Sequence, residues 1–395
     1  MRPTRSLALF LLFTPALACT TAGVGDDDDA ESNPLPAFSE DCGAGVNDRL
    51  DEAAGLASEN WTRHEGVRLC SDDLDYYRVD VPPRRWLQVT IEMEDGSGQD
   101  DLDLYEVNEE DEDVWMSAAS QPFERLAWFN PGDVPYSRFL RVQGYNGGRG
   151  DYNIEIRNSA WHEGLDCDAF FPDEDPDDEG GPCNRIMQFP QTNSLEEGYF
   201  VEHEAHYSNL RREVAYLARY AARETMAEFE DTEALAFMDM SQWDGDVPGR
   251  MVGSLRHPEG THENGNDMDI AYYSLSDGNN GKAICTNDNY FCTGPASDLD
   301  VDRTTFFLAK LMDSEHVRVA GVDPAVAELV EPRAYEMEDE GLISNTERQK
   351  VVGLLAYGSG WPFHHHHIHL SWQWEAGFEG RSEAPDGCMV GPDAL

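Results

Sequence analysis

Between residues 75 and 156 the chain repeats one pattern, short segments with apolar side chains at alternate positions, separated by clusters of Gly, Asp and Pro. DYYRVDV at 75–81, WLQVTIEM at 86–93, LDLYEV at 102–107, SRFLRVQGY at 137–145 and DYNIEI at 151–156 carry it most clearly. Successive side chains of a strand point to opposite faces, so a period of two gives each segment one face for a core and one for water. Strands of this length with turn residues between them predict an all-β sandwich over residues 42–158. It contains no His, Cys or Ser constellation with catalytic spacing.

After residue 184 the periodicity changes. NLRREVAYLARYAARETMAEF spaces Leu210, Val214, Leu217, Ala221 and Met226 at helical intervals with charges on the other side. ALAFMDMS, DMDIAYY, VRVAGV and HIHLSWQ read as strands and TTFFLAKLM as a helix. Helices interrupting strands predict an α+β domain with an antiparallel sheet over 184–395. Two folded domains agree with a length of 395 residues, more than one core usually needs. The linker at 159–183 contains DCDAFFPDEDPDDEGGPC. Its Asp cluster offers hard oxygen ligands to calcium, but it lacks the spacing of a known calcium loop, and a solvated acidic loop is the plainer reading.

Residues 1–19 have the layout of a secretory signal: MRPTR is basic, SLALFLLF is a short apolar run, and TPALAC ends at Cys19. The stretch resembles a bacterial lipoprotein signal with Cys19 as the lipid attachment site. Ala16 stands where a Leu is usual, so cleavage without lipid remains the alternative, and Thr20 after the cysteine favours the outer membrane by resemblance to enterobacterial sorting. Residues 20–40 are small, acidic and proline-containing, and predict a disordered tether. No later apolar run is long enough to span a bilayer, so the expected membrane contact is the anchor alone. Lys and Arg number 28 against 78 Asp and Glu, a net charge of −50, which repels nucleic acid and anionic lipid. In an oxidising compartment the remaining cysteines read as disulfide staples, with Cys42–Cys70 and Cys285–Cys292 as the short-range pairs and Cys167, Cys183 and Cys388 unassigned.

Two stretches carry chemistry: HPEGTHENGNDMDI at 257–270 and WPFHHHHIHL at 361–370. Gly265 permits a tight turn into a strand on which Asp267 and Asp269 share one face. His367 and His369 likewise share a face, with Ile368 and Leu370 turned to the core, and alternation continued upstream sends His366 away from that face. Imidazoles facing carboxylates suit zinc, which takes N and O donors in a tetrahedral array. A histidine tag normally sits at a terminus, whereas this tract runs into an apolar strand.

At these residues the chain resembles the penicillin-insensitive murein endopeptidases, zinc peptidases of the lysostaphin/D-Ala-D-Ala peptidase/hedgehog-type superfamily. The family's Ser-His-x-x-Gly-x-Asp-x-Asp stretch falls on Thr261, His262, Gly265, Asp267 and Asp269, and its His-x-x-His-x-His stretch on His364, His367 and His369. The likeness spans about 184–375. It implies His262, Asp269 and His369 as zinc ligands, His367 and His364 as catalytic histidines, and Asp267 as a residue orienting a ligand. Where the family usually has a further histidine, three residues before the first ligand, this chain has Glu259, which can accept hydrogen bonds or act as a base. The strands of 75–156 similarly resemble the bacterial pre-peptidase C-terminal type of sandwich, an accessory module beside secreted peptidases.

The implied activity is zinc-dependent hydrolysis of peptide cross-links in peptidoglycan. Alternatives are a D-Ala-D-Ala carboxypeptidase or dipeptidase of the same superfamily and, from another class, a catalytically silent cell-wall-binding lipoprotein. Arg250 and Arg256 are candidates to hold a substrate carboxylate by proximity.

Overall fold

The computed structural model describes residues 47–373 apart from 59–60, 72, 94–100, 120–122, 161–185, 194, 203, 243–244, 250–254, 277 and 315. The signal with Cys19, the tether, all but the first two residues of the acidic linker, Cys42, Cys167, Cys183, Cys388 and Arg250 lie outside the described residues.

Among the described residues nine strands make up the first region: β1 (Ala54–Leu56), β2 (Trp61–Leu69), β3 (Leu74–Val81), β4 (Arg85–Met93), β5 (Leu102–Val107), β6 (Asp113–Ser117), β7 (Phe123–Phe129), β8 (Tyr136–Gly144) and β9 (Gly150–Ala160). They form two sheets, one in the order β1-β3-β8-β5-β6 and the other containing β7-β4-β9-β2. The alternation read from the sequence supplies the core: Tyr77, Val79 and Val81 on β3, Leu87, Val89 and Ile91 on β4, and Tyr152, Ile154 and Ile156 on β9 are all buried. Polar contacts also tie the sheets together. Tyr77 and Tyr152 share a hydroxyl hydrogen bond of 2.6 Å, and the Trp128 indole N–H donates to Glu106 at 2.7 Å. β9 runs to Ala160, so the strand continues two residues past the expected end of the sandwich at 158.

The second region begins with β10 (Met187–Gln188), β11 (Gln191–Thr192), β12 (Tyr199–Val201) and β13 (Asn209–Leu210), followed by α1 (Arg212–Glu228), β14 (Leu235–Phe237), β15 (Asp267–Ala271) and α2 (Val301–Leu311). It ends with β16 (Val317–Gly321), α3 (Pro324–Glu340), α4 (Asn345–Leu354), β17 (Leu355–Ala356) and β18 (His367–Trp372). Its sheet has the order β12-β14-β15-β18-β16-β17. The expected antiparallel arrangement describes only the inner pairs, β14–β15, β15–β18 and β16–β18. The edge pairs β12–β14 and β16–β17 are parallel. In each case the chain crosses through helix before it returns, α1 in the first and α3 with α4 in the second, which is how a parallel neighbour is reached.

Local chemistry sets the helix ends. Asp300 accepts from the Arg303 amide to cap α2, Asp323 accepts from the Ala325 amide to cap α3, and Ser344 with Glu347 forms a capping box on α4. α3 ends at Gly341, whose φ of 79° a side chain would oppose.

The two regions are joined by pairing as well as by sequence. β11 adds to the sandwich as a parallel neighbour of β7, with Gln191 opposite Trp128. The Gln188 amide donates to the Arg125 carbonyl at 3.0 Å, and the Arg219 guanidinium lies 4.6 Å from the centre of the Phe129 ring. The all-β sandwich and the helix-containing region thus belong to a β-rich, multidomain architecture with four helices among the described residues.

Burial makes Asp75 and Asp103 of the sandwich sensitive to pH. Asp75 is 6% exposed and accepts from the Tyr152 hydroxyl at 2.6 Å. Desolvation, only partly offset by that bond, pushes its carboxyl up to about 6 from 3.8. The folded state therefore holds the proton more tightly than the unfolded one. The stability contributed is full below about 4 and is lost as pH rises through about 6. Asp75→Asn is expected to stabilise the chain by about 2 kcal/mol at pH 7 and by little at pH 4. Urea melts at the two pH values check this; an equal effect at both would refute it.

Candidate metal centre

The centre lies on the facing strands β15 and β18. Their antiparallel register sets Asp269 opposite His369, Ala271 opposite His367 and Asp267 opposite Ser371. Met268, Ile270, Ile368 and Leu370 are buried on the reverse face, and their packing holds this register. His262 enters from the loop before β15. It is fully buried at 0% exposure, and its φ of 54° is uncommon for a residue with a side chain. Gly265 follows at φ 66°, where an added Cβ would lie 2.5 Å from the Arg211 amide nitrogen. The backbone makes the turn there only because nothing projects from it.

Three donor atoms converge. His262 Nε2 is 3.1 Å from His369 Nδ1 and 3.2 Å from Asp269 Oδ1, and His369 Nδ1 is 3.1 Å from the same oxygen. Donors around one tetrahedral ion at about 2.0–2.1 Å would lie about 3.3–3.4 Å apart, so this triangle is close to the size of a ligand set. His369 turns its other nitrogen toward Asp267, 3.3 Å away, the position of an orienting carboxylate. His367 Nε2 is 3.4 Å from Asp269 Oδ2, at the edge of the triangle.

A fourth histidine belongs to the cluster and had no place in the sequence reading. His257 stacks on His262 with ring centres 3.8 Å apart, and its ligand atom lies with those of His262 and Asp269 within 4.8 Å of one another. Its Nε2 is 2.8 Å from Asp239 Oδ2 and 3.8 Å from Asp269 Oδ2. These residues could hold a metal ion. Glu259 is exposed, and the ring packed on His262 is that of His257, two residues upstream. The signal that could have found it was present, since His257 opens the quoted stretch, but spacing counted back from His262 pointed to Glu259 instead.

The tract before β18 departs from simple alternation. β18 starts at His367, and residues 361–366 form turns and a bend. His366 Nε2 lies 3.1 Å from His367 Nδ1, the ring nitrogen other than the one nearest Asp269. His364 folds back so that its ring centre is 4.9 Å from that of His367 and 6.1 Å from that of His369. Trp361 packs beside it, 6.0 Å from the His369 ring, over Gly321, where a Cβ would meet the indole at 2.3 Å. The Cys285–Cys292 disulfide closes a loop against the tract through Ile284 N–H to the His365 carbonyl at 3.1 Å and Phe363 N–H to the Tyr290 carbonyl at 2.7 Å. That pairing agrees with the sequence expectation. Cys70 is also disulfide-bonded, and its expected partner Cys42 is outside the described residues.

The charges of the centre pull in opposite directions. Burial pushes His367 down to about 3 despite the nearby Asp269. Burial also works against the charged form of His369, but Asp267 and Asp269 outweigh it and hold the ring up to about 9. Asp269 stays well below the usual carboxylate range although desolvation opposes this, because ring nitrogens of His262 and His369 lie within hydrogen-bond distance of it. A buried pair of carboxylates thus draws positive charge into the pocket, the electrostatic setting in which a cation is held.

No protein-family model matches the chain, and no curated protein matches it. Among solved structures it is similar to the pre-peptidase C-terminal domain of a collagenase from Bacillus anthracis, at 18% identity over 29% of this chain and 100% of that one, with a TM-score of 0.22. It is also similar to PliG of Aeromonas hydrophila, a periplasmic inhibitor of g-type lysozyme, at 8% identity over 27% of this chain and 94% of that one, with a TM-score of 0.21. Both likenesses are distant. No helix among the described residues is long and apolar enough to cross a membrane.

The chain is expected to take up one divalent transition-metal ion. His262→Ala and His369→Ala should each lose it, and His366→Ala should keep it. Elemental analysis after dialysis against the metal reads the result, and retention by a His262→Ala, His369→Ala double variant would exclude this centre. Gly321→Ala should displace Trp361 and redshift its fluorescence by opening it to water; an unchanged emission maximum would show that the indole does not depend on that glycine.

Proposed function

We propose that the second region is a zinc-dependent peptidase that hydrolyses peptide cross-links of peptidoglycan. The observation that carries the proposal is the donor triangle of His262, Asp269 and His369 with His367 at its edge, 3.4 Å from Asp269. Two nitrogen donors and one oxygen suit zinc, and three protein ligands leave a position open, as a catalytic site needs. When bound, zinc supplies Lewis acidity that polarises an amide carbonyl and makes a water acidic enough to react near neutral pH.

The chain's own residues would do the rest. His369 is oriented by Asp267 on one nitrogen and presents the other to the triangle. His367 is kept neutral by burial, the form that takes a proton from an attacking water and can pass it to the leaving amine. His364 lines the same side and is positioned by its carbonyl, which accepts from the Tyr272 hydroxyl at 2.9 Å. The resemblance of THENGNDMD and HHHHIHL to the murein endopeptidases supports peptidoglycan as substrate. Export, with lipid attachment at Cys19 and an outer-membrane site or with simple secretion, would bring the enzyme to that polymer.

The zinc-loaded full chain is expected to convert cross-linked muropeptides in purified sacculi to monomers. His369→Ala should abolish this, and His367→Gln should lower the rate by roughly a hundredfold or more while keeping the metal. Mass spectrometry of the products decides. Trimming of free pentapeptide without loss of cross-links would replace the endopeptidase by a carboxypeptidase, and a zinc-loaded chain inert on both would refute a peptidase.

A further inference from the structure

We propose that Arg256 is a fixed anchor for a carboxylate of the substrate peptide near the scissile amide; this rests on the peptidase reading of the centre beside it. The guanidinium is held on two sides. Its Nε donates to Asp239 Oδ2 at 2.7 Å, and its Cζ lies 5.0 Å from the centre of the Tyr207 ring. Its own backbone N–H is pinned to the Pro248 carbonyl at 2.9 Å. With Nε committed, the two Nη groups remain as a planar fork, and among the described residues neither is hydrogen-bonded to an acceptor. The side chain is nevertheless 41% exposed. A guanidinium locked in orientation with a free fork is preorganised for bidentate binding of a carboxylate, which a flexible lysine is not.

Asp239 ties this fork to the centre. The Oδ2 that accepts from Arg256 is also 2.8 Å from His257 Nε2, and His257 stacks on His262 at 3.8 Å. One carboxylate thus serves both donors, and Glu204 is the further acidic group whose charge acts on Arg256, while the two Nη groups make no hydrogen bond to either among the described residues. The nearby Arg318 is a weaker candidate. It directs Nε and Nη2 to the Ser371 hydroxyl at 3.1 and 2.7 Å, so its fork is already engaged. In a chain of net charge −50 an exposed cation at this place stands out against its surroundings and would orient an anionic peptide end or side chain.

The test measures binding by calorimetry in the zinc-loaded full chain carrying His367→Gln, which slows turnover. The probes are the synthetic peptide acetyl-Lys-D-Ala-D-Ala with a free carboxylate and the same peptide as its C-terminal amide. The acid is expected to bind at least about tenfold more tightly than the amide, Arg256→Gln should erase that preference, and Arg256→Lys should restore part of it. Affinity for the amide should be the same in all three, which separates a lost anchor from a damaged fold. Equal affinity for acid and amide in the Arg256 chain, or an equal loss for both on substitution, would overturn the proposal. An intact acid preference in a chain that hydrolyses no peptidoglycan would overturn the peptidase reading and leave the anchor standing.

Discussion

The pairing of β15 with β18 is the interaction on which the centre depends. It brings Asp269 and His369, a hundred residues apart in sequence, directly opposite each other. A slip of one residue would turn Asp267, Asp269, His367 and His369 to the reverse face and bring Met268, Ile270, Ile368 and Leu370 out of the core. The apolar set therefore protects the polar set. At roughly 1.5–3 kcal/mol for each large apolar side chain buried, four of them outweigh what a slipped ladder could recover.

The polar face is costly by itself. Asp267, Asp269, His262 and His369 are all buried, and isolated charges in such a setting would be expelled or neutralised. They persist because each meets another: His369 lies between two carboxylates, and His262 meets Asp269 and His369. Backbone strain adds to the cost. His262 and Asn264 both have positive φ, and such residues cost of order 1–3 kcal/mol each when nothing local favours the conformation. The surrounding structure must over-determine this loop, and it does so through Asn264 N–H to the Gly245 carbonyl at 2.8 Å and Arg211 N–H to the Gly265 carbonyl at 3.0 Å.

The second region also leans on the first. β11 lies along β7, and Arg219, 1% exposed, donates to Glu197 at 2.7 Å while covering Phe129 of the sandwich. The seam therefore includes a buried ion pair, whose value depends on both partners staying in place. The sandwich contributes an edge and an aromatic surface to the region that carries the centre.

Much of the architecture was legible in the residues. Period-two alternation located β3, β4, β5, β8 and β9 to within a few residues, and helical spacing located α1 and α2, because both signals come from one chain segment facing one core. β2 was missed since Gly66 at φ 69° lies in a bulge that breaks the alternation between His64 and Val67. α3 was missed because Pro332 lies inside it, where a proline usually breaks a helix, and charge is spread around it. Within the centre, alternation alone determined that Asp267 and Asp269 share a face and that His367 and His369 share another. Only the tertiary structure decided that those faces meet, that turns carry His364 back toward His367, and that His257, held by Asp239, packs on His262. Strand alternation is local and can be read along the chain, whereas the register between distant strands and the path of a loop are set by packing that no single segment contains.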